Sequence, residues 1–397
     1  MAGKHIGILT GGGDVPGLNA AIKSVYQAAR DHGWMRAGTN DANVTGILRG
    51  WKGTVWMAPD PRVGGWSDVV ALTDERVRTV DRYGGTFLHT SRTRPDRIRS
   101  AELPPRLRES SSELPRSGED LYDATGIVIR NLEEIGIDCL VVVGGDDTLG
   151  YAHTLAARGF PVVGIPKTMD NDVKGTEYCL GFATAIGRAV GFINRQRTHL
   201  GSHEVVGVFR IFGRDSGFTA LGTAMAISDL RCAIPEHPFD LEHLCDLLAR
   251  DQGGHPSHYS MVVCSEGAMW KGGRLEEVGP ADAYGHRHKQ NVAEALAEEI
   301  TRRTGLPTRM QDLAHDLRSG DPDPLDRIIG NTYGTLAVEL VARGNTGRMV
   351  CIRDGVYGET ELPDPSAGSR AVDITADYDI DRFRPRFATR FTKPIFL

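Results

Sequence analysis

The stretch from Val141 to Asp172 constrains this chain most. It reads VVVGGDDTLG, then a short helical run, then PVVGIPKTMDND. Two strand-sized apolar runs each end in a polar loop, and the loops together carry four aspartates, one lysine and two threonines. In an open parallel sheet, ligands bind beyond the carboxyl ends of the strands, which sends both loops to one crevice. Gly144 and Gly145 permit close backbone approach. Asp146 is placed to hold a divalent cation and Asp170 to take a proton from a hydroxyl, a set suited to phosphoryl transfer. Asp146 would also sit there if it only capped the next helix.

The segments around this stretch repeat one rhythm. His5–Leu9 reads as a buried strand, and TGGGDVPGLNAAIKSVYQAARDHG follows it. Leu18, Ala21, Ile22, Val25 and Ala29 recur at helical spacing, with Gly33 as the stop. A strand, a glycine turn and a helix make a phosphate cradle of free backbone N–H groups and helix dipole. The turn is neither GxGxxG nor a P-loop, because no Walker lysine follows. Residues 40–83 read as a meandering sheet region. Tyr83–Arg94 gives a second glycine turn with Arg92 and Arg94, and 95–119, rich in Arg, Pro, Ser and Glu, reads as an exposed insertion. Asp123–Gly136 is an amphipathic helix feeding the strand Cys139–Val143.

Beyond Asp172 the alternation continues. Helices are expected at Gly181–His199, Phe218–Ala226, Leu241–Asp251, Asn291–Arg303 and Pro324–Arg343. Strands are expected at Glu204–Phe212, Leu230–Ile234, Tyr259–Cys264 and Met349–Arg353. Such alternation predicts an α/β chain of two doubly wound, Rossmann-like, three-layer domains with the active site in the cleft between them. The expected first domain is 1–180 with about 316–370, and the second is 181–315 with a C-terminal arm, 371–397. Thr308–Arg327 is expected to bring Arg309, His315 and Arg318 together, although the arginines alone would read as surface cations.

Composition excludes several classes. A formal net charge of -6 gives no global basic surface for nucleic acid or an anionic membrane. The apolar runs are too short to span a bilayer, and Met1–Lys4 runs straight into a strand, which leaves no room for a signal peptide. The six cysteines are scattered without CxxC, as in a reduced cytoplasmic protein. The thirteen histidines show no HExxH spacing, so a structural zinc is not expected.

TGGGDVPGLNAAI, GGTFL, GGDDT, PKTMDND, FGR, IPE and the Arg309–His315–Arg318 set, in this order, resemble the 6-phosphofructokinase family. The similarity runs from Ile6 to about Arg353. It implies a magnesium-dependent kinase acting on fructose 6-phosphate, assembled as a homodimer or homotetramer. Gly12, Gly13, Arg92 and Thr148 would hold the phosphoryl donor, and Asp146 the Mg2+. Asp170 would be the base at the sugar 1-hydroxyl, with Thr168 and Asp172 beside it. Phe212, Gly213, Arg214 and Glu236 resemble sugar contacts, Arg214 also aiding catalysis, although Glu236 is equally an ordinary helix-start acid. Arg309, His315 and Arg318 resemble the 6-phosphate grip, reached in part from a neighbouring subunit.

Two positions bear on the donor. In the ATP-using members of the family it resembles, the residue after the motif aspartate is usually glycine; here Asp147 stands there. A carboxylate about 4 Å from an anionic phosphate costs on the order of 4 kcal/mol at an effective dielectric near 20. Since about 1.4 kcal/mol is a factor of ten, the penalty against ATP approaches a thousandfold. Lys167 supplies a cation for a compact donor. The pair resembles the pyrophosphate-dependent branch, reversible in direction, with an ATP-dependent enzyme as the alternative. The pattern breaks at Val205, where relatives place a phosphate-binding arginine, and at Phe212, where methionine is usual. Arg210, five residues beyond Val205, points to the opposite face of the strand. These departures leave room for sedoheptulose 7-phosphate.

Overall fold

The computed structural model describes residues 3–62, 64–109, 114–273, 277–278, 288–289 and 291–387. The principal elements of the first half are β1 (Ile6–Thr10), α1 (Leu18–Asp31), β2 (Val44–Ile47), β3 (Val69–Ala71), α2 (Thr125–Glu134), β4 (Cys139–Gly144), α3 (Asp146–Ala157) and β5 (Val162–Pro166). The second half continues with α4 (Phe182–His203), β6 (Val206–Ile211), α5 (Phe218–Ala226), β7 (Arg231–Ala233), α6 (Leu241–Gly254), β8 (Ser260–Ser265), α7 (Val292–Thr304) and β9 (Thr308–Asp312). The chain then forms α8 (Pro324–Ala342), β10 (Arg348–Arg353) and β11 (Val356–Glu361).

Two sheets organise the molecule. The first is seven-stranded, in the order β11-β10-β5-β4-β1-β2-β3, parallel except at its two edges. The second is four-stranded and fully parallel, in the order β7-β8-β6-β9. The protein is an α/β chain with parallel sheets flanked by helices.

The central strands show why. Every residue of β4 and β5 is buried. Side chains alternate along a strand, so Val141 and Val143 join a core with Leu18, Ile22 and Phe182, while Leu140 and Val142 join another with Leu149 and Leu155. Helices on both faces therefore require the near-continuous apolar runs seen in the sequence. Helix α1 crosses α8 closely because α8 carries glycines: a Cβ at Gly334 would lie 2.7 Å from the Ala21 carbonyl oxygen. Helix α8 is tied to the start of α4 by Asp326, whose carboxylate accepts from Tyr178 Oη, the Gly181 and Thr184 amides and Thr184 Oγ1 at 2.6–2.8 Å.

Two expectations need correction. Residues 40–83 include a helix at Gly50–Trp56, which buries Trp51 and Val55. The 95–119 segment, in its described part, is packed rather than loose. Ile98 and Leu103 enter the core, Ile98–Arg99 pairs with Leu121–Tyr122, and Arg106 donates to the carbonyls of Val55, Trp56 and Met57. Residues 110–113 of that segment and 388–397 of the expected C-terminal arm lie outside the described residues.

Candidate active site

In the first sheet the strand order reverses between β1 and β4, because the chain runs outward from β1 to β2 and later returns to its other side. Ligands gather at such switch points. A cleft of about 460 Å³ lies there. From the first half it is lined by Gly12–Val15 after β1, Arg92–Arg94, Gly145–Thr148 after β4, and Lys167–Asp170 with Asp172 after β5. From the second half come Phe212, Arg214 and Asp215 after β6, Glu266 after β8, and Arg318. Ser369 closes the list of walls.

The glycine turn is shaped by cations above it. Lys167 is buried, and its Nζ donates to the Gly13 carbonyl oxygen at 2.6 Å. A Cβ on Gly12 would lie 3.2 Å from that Nζ, and one on Gly13 would lie 2.7 Å from Arg318 Nη1. Glycine at both places therefore lets the two cations close over the turn. The Gly12 amide is already spent on the Ser91 carbonyl at 2.9 Å, so Gly12 shapes the cradle without offering the free N–H expected from sequence. Burial, with the nearby Arg318 charge, lowers the Lys167 ammonium to about 8.

The carboxylates divide by surroundings. Asp170 is the most isolated: its Oδ1 is buried without a hydrogen-bond partner. Burial, then the Asp172 and Glu266 charges, push its pKa up to about 8. A rise of that size favours the neutral form by roughly 6 kcal/mol. Asn171, at φ 55°, makes the turn that aims Asp170, and Thr168 Oγ1 accepts from the Asp170 amide at 3.1 Å. Burial also raises Asp172, and raises Asp146 to about 6, with Asp172 and Asp147 adding repulsion. Asp146 opens α3, where the helix dipole favours anions. Asp147 projects outward, 90% exposed, with Arg94 Nη1 3.7 Å away, so solvent screens its charge and the near-thousandfold penalty against ATP expected from the sequence does not hold. Thr148 is buried beneath, its side chain filling the space left by Gly11 and Gly144.

Arg318 lies 4.4 Å over the Phe212 ring, and its Nε is buried without a partner. Phe212 thus serves as a π-face for the cation. Arg214 is exposed and 4.0 Å from Glu266. Glu266 went unnoticed in the sequence, where it reads only as an acid after an apolar run. In space it meets Arg210 at 2.6 Å and faces the cleft. Arg210 also pairs with Asp312 at 2.9 Å, and Val205 is buried just before β6.

Four expected residues do not line the cleft: Gly213, Glu236, Arg309 and His315. Gly213 is required by its turn, at φ 126°, where a Cβ would sit 2.4 Å from the Ser216 carbonyl oxygen. Glu236 Oε1 accepts from the backbone amides of Gly217 and Val372 at 2.9 and 2.8 Å. Of the expected Arg309–His315–Arg318 set, Arg318 alone lines the cleft. His315 packs edge-on to Phe212 at 5.8 Å, whereas Arg309 is exposed on β9 and donates to the carbonyl of Thr308.

Residues 5–341 match the family model of phosphofructokinase. The chain belongs to the phosphofructokinase family. Among its curated relatives, ATP-dependent 6-phosphofructokinase 3 of Streptomyces coelicolor is 34% identical over 351 residues, covering 88% of this chain and 91% of that protein. The pyrophosphate–fructose 6-phosphate 1-phosphotransferase of the same organism is also 34% identical, over 371 residues, covering 93% and 96%. Equal identity to relatives with different donors leaves the donor open on overall similarity. A solved pyrophosphate-dependent phosphofructokinase from Marinobacter aquaeolei shares the fold, with a TM-score of 0.72 at 18% identity over 96% of this chain and 88% of that one. As a phosphofructokinase the chain is an enzyme of the phosphotransferase class.

Proposed function

We propose that this phosphofructokinase transfers phosphate reversibly between pyrophosphate and the 1-hydroxyl of fructose 6-phosphate. The observation that supports the donor reading is the pairing of the buried Lys167 ammonium, lodged over the Gly12–Gly13 turn, with Asp147 on the wall of the same cleft. A buried cation there is compensated by a compact, highly charged anion. Beyond Asp146 the way out runs past Asp147 into a recess of about 190 Å³, walled by Arg94, Pro363–Pro365, Gly368 and Ser369. Ligand pockets run upward from about 300 Å³, so that recess does not suit a nucleoside. The alternative is ATP: a groove of about 630 Å³ shares Arg92, Thr93 and Arg94 with the cleft and also holds Arg97 and Arg99. Comparing kcat/KM for pyrophosphate and ATP separates the two.

The geometry supports the following roles. Asp170 accepts the 1-hydroxyl proton with its unpartnered oxygen, and Lys167, Arg92, Arg214 and Arg318 offset charge on the moving phosphate. Thr168 and Asp172 orient the acceptor, and Asp147 with Thr148 bounds the donor. Mg2+ fits Asp146, which lines the cleft together with Asp172, since Mg2+ is held by one or two carboxylates plus phosphate oxygens rather than by a protein cage. When bound, it neutralises phosphate charge. The exposed Arg309 is available to a neighbouring subunit's sugar phosphate, which favours a homodimer or homotetramer. Val205 and Phe212 leave sedoheptulose 7-phosphate as a second acceptor. Among the described residues no helix is long and apolar enough to cross a membrane. The six cysteines are free and buried, as in a reducing compartment, and on that ground we propose a cytoplasmic location. We assign donor binding to 1–180 with 316–370 and sugar binding to 181–315 with the arm from 371.

A further inference from the structure

The segment Leu362–Val372 lies beyond the residues that match the family, 5–341, yet it reaches the centre of the site. Leu362 is anchored in the core beside Gly164, where a Cβ would lie 2.7 Å from Leu362 Cδ2. Pro365 rests on α3, at a place kept open by Gly150, whose Cβ would meet Pro365 Cβ at 3.1 Å. Val372 is buried in the core of the other half, and its amide is held by Glu236. Between these anchors the chain crosses the mouth of the cleft.

Two consecutive residues of this strap address the two loops that carry the chemistry. Ser369 Oγ donates to Asp146 Oδ2 at 2.7 Å and lines the cleft. Arg370 tucks behind the Asp170–Asp172 turn: its amide donates to the Asp172 carbonyl oxygen at 2.6 Å, and its Nη1 to the Asn171 and Glu177 carbonyls at 3.3 and 3.1 Å. The same guanidinium sits 4.3 Å over the Phe218 ring at the start of α5. The arginine therefore fixes the strap, and the strap sets the serine.

We propose that Ser369 is a positioning residue for Asp146, holding one carboxylate oxygen so that the other faces a divalent cation. This rests on the reading of Asp146 as the metal-binding carboxylate. Hydrogen-bond partners of a metal ligand fix its orientation, and losing one costs 10- to 100-fold in affinity or activity. The hydroxyl is the donor here, and removing it frees Asp146 to rotate without disturbing any buried apolar contact.

The test is Mn2+ binding to the full-length protein with methylenediphosphonate present, followed by electron paramagnetic resonance, for wild type, Asp146→Asn, Ser369→Ala and Ser369→Thr. Asp146→Asn is expected to abolish tight binding, Ser369→Ala to raise the Mn2+ Kd by about tenfold, and Ser369→Thr to restore it. Ser369→Ala binding Mn2+ as tightly as wild type, while Asp146→Asn does not, overturns the proposal and spares the Asp146 reading. Unchanged binding in Asp146→Asn overturns both. Arg370→Lys gives a second arm, since loosening the strap raises the Kd in the wild-type background and adds nothing to Ser369→Ala. Additive effects in the double variant contradict a strap that acts through the serine.

Discussion

Lys167 donates to the carbonyl oxygen of Gly13 across 154 residues of chain, at 2.6 Å. This bond joins the loop after β5 to the turn after β1 and sets a cation in the floor of the donor cradle. Replacing Lys167 with methionine keeps the packing volume and removes the charge. Loss of one preorganised charge-stabilising donor lowers kcat by about 10²–10³-fold. Steady-state turnover with pyrophosphate checks this, and thermal unfolding should show the variant at least as stable as wild type, since a buried cation is removed.

Asp170 and Lys167 have opposite requirements that meet near one pH. Asp170 must lose its proton, which burial delays to about 8. Lys167 must keep its proton, which burial weakens to about 8. A bell-shaped profile of kcat/KM with its apex near pH 8 is expected, and the alkaline limb should vanish in Lys167→Met.

Stability carries its own signature of Asp170. The folded carboxyl holds its proton up to about pH 8, whereas the unfolded one releases it near 3.8. Between these values the folded state binds more protons, so this group's contribution to stability falls as pH rises. Asp170→Asn removes that loss. Its midpoint of thermal unfolding should exceed that of wild type by a margin that widens from pH 5 to pH 8, while turnover is abolished.

Much of this site was legible in the sequence because chemistry and spacing coincide there. GGDDT and PKTMDND end two strands buried on both faces, so their aspartates had one place to go. The strap was not legible: Ser369 and Asp146 are 223 residues apart, and PDPSAGSR carries no periodicity. Glu266 was missed for the same reason, since only the pairing of β8 with β6 brings it to Arg210. The 95–119 segment misled because Ile98 and Leu103, its buried anchors, are sparse among charges. Arg309 shows the opposite limit, since its place next to His315 in sequence does not say which subunit's cleft it serves.

Glu236 distinguishes a sugar contact from a structural acceptor. Its Oε1 holds two backbone amides, and Oε2 is buried without a partner. Glu236→Ala leaves both amides unpaired, at about 1–3 kcal/mol for each buried group. Chemical denaturation should show that loss, while KM for fructose 6-phosphate moves less than about threefold, well under the cost of a lost charged contact. A large rise in KM with unchanged stability returns Glu236 to the sugar.

Asp326, near the start of α8, accepts from four donors and has no exposed surface. An amide in its place cannot accept from all four. Asp326→Asn should cost about 3 kcal/mol, in the range for breaking a buried network, read as a lower urea midpoint with unchanged KM for either substrate.

The donor is the central claim, and one comparison tests it most directly: kcat/KM for pyrophosphate against ATP, at equal concentration with fructose 6-phosphate and Mg2+ saturating, in wild type and Asp147→Gly. Wild type should favour pyrophosphate, and Asp147→Gly should narrow that preference by roughly fivefold, since a 90% exposed carboxylate acts at close to the dielectric of water, worth about 1 kcal/mol at 4 Å. Wild type that turns over faster with ATP, or an Asp147→Gly variant whose preference does not move, contradicts the account.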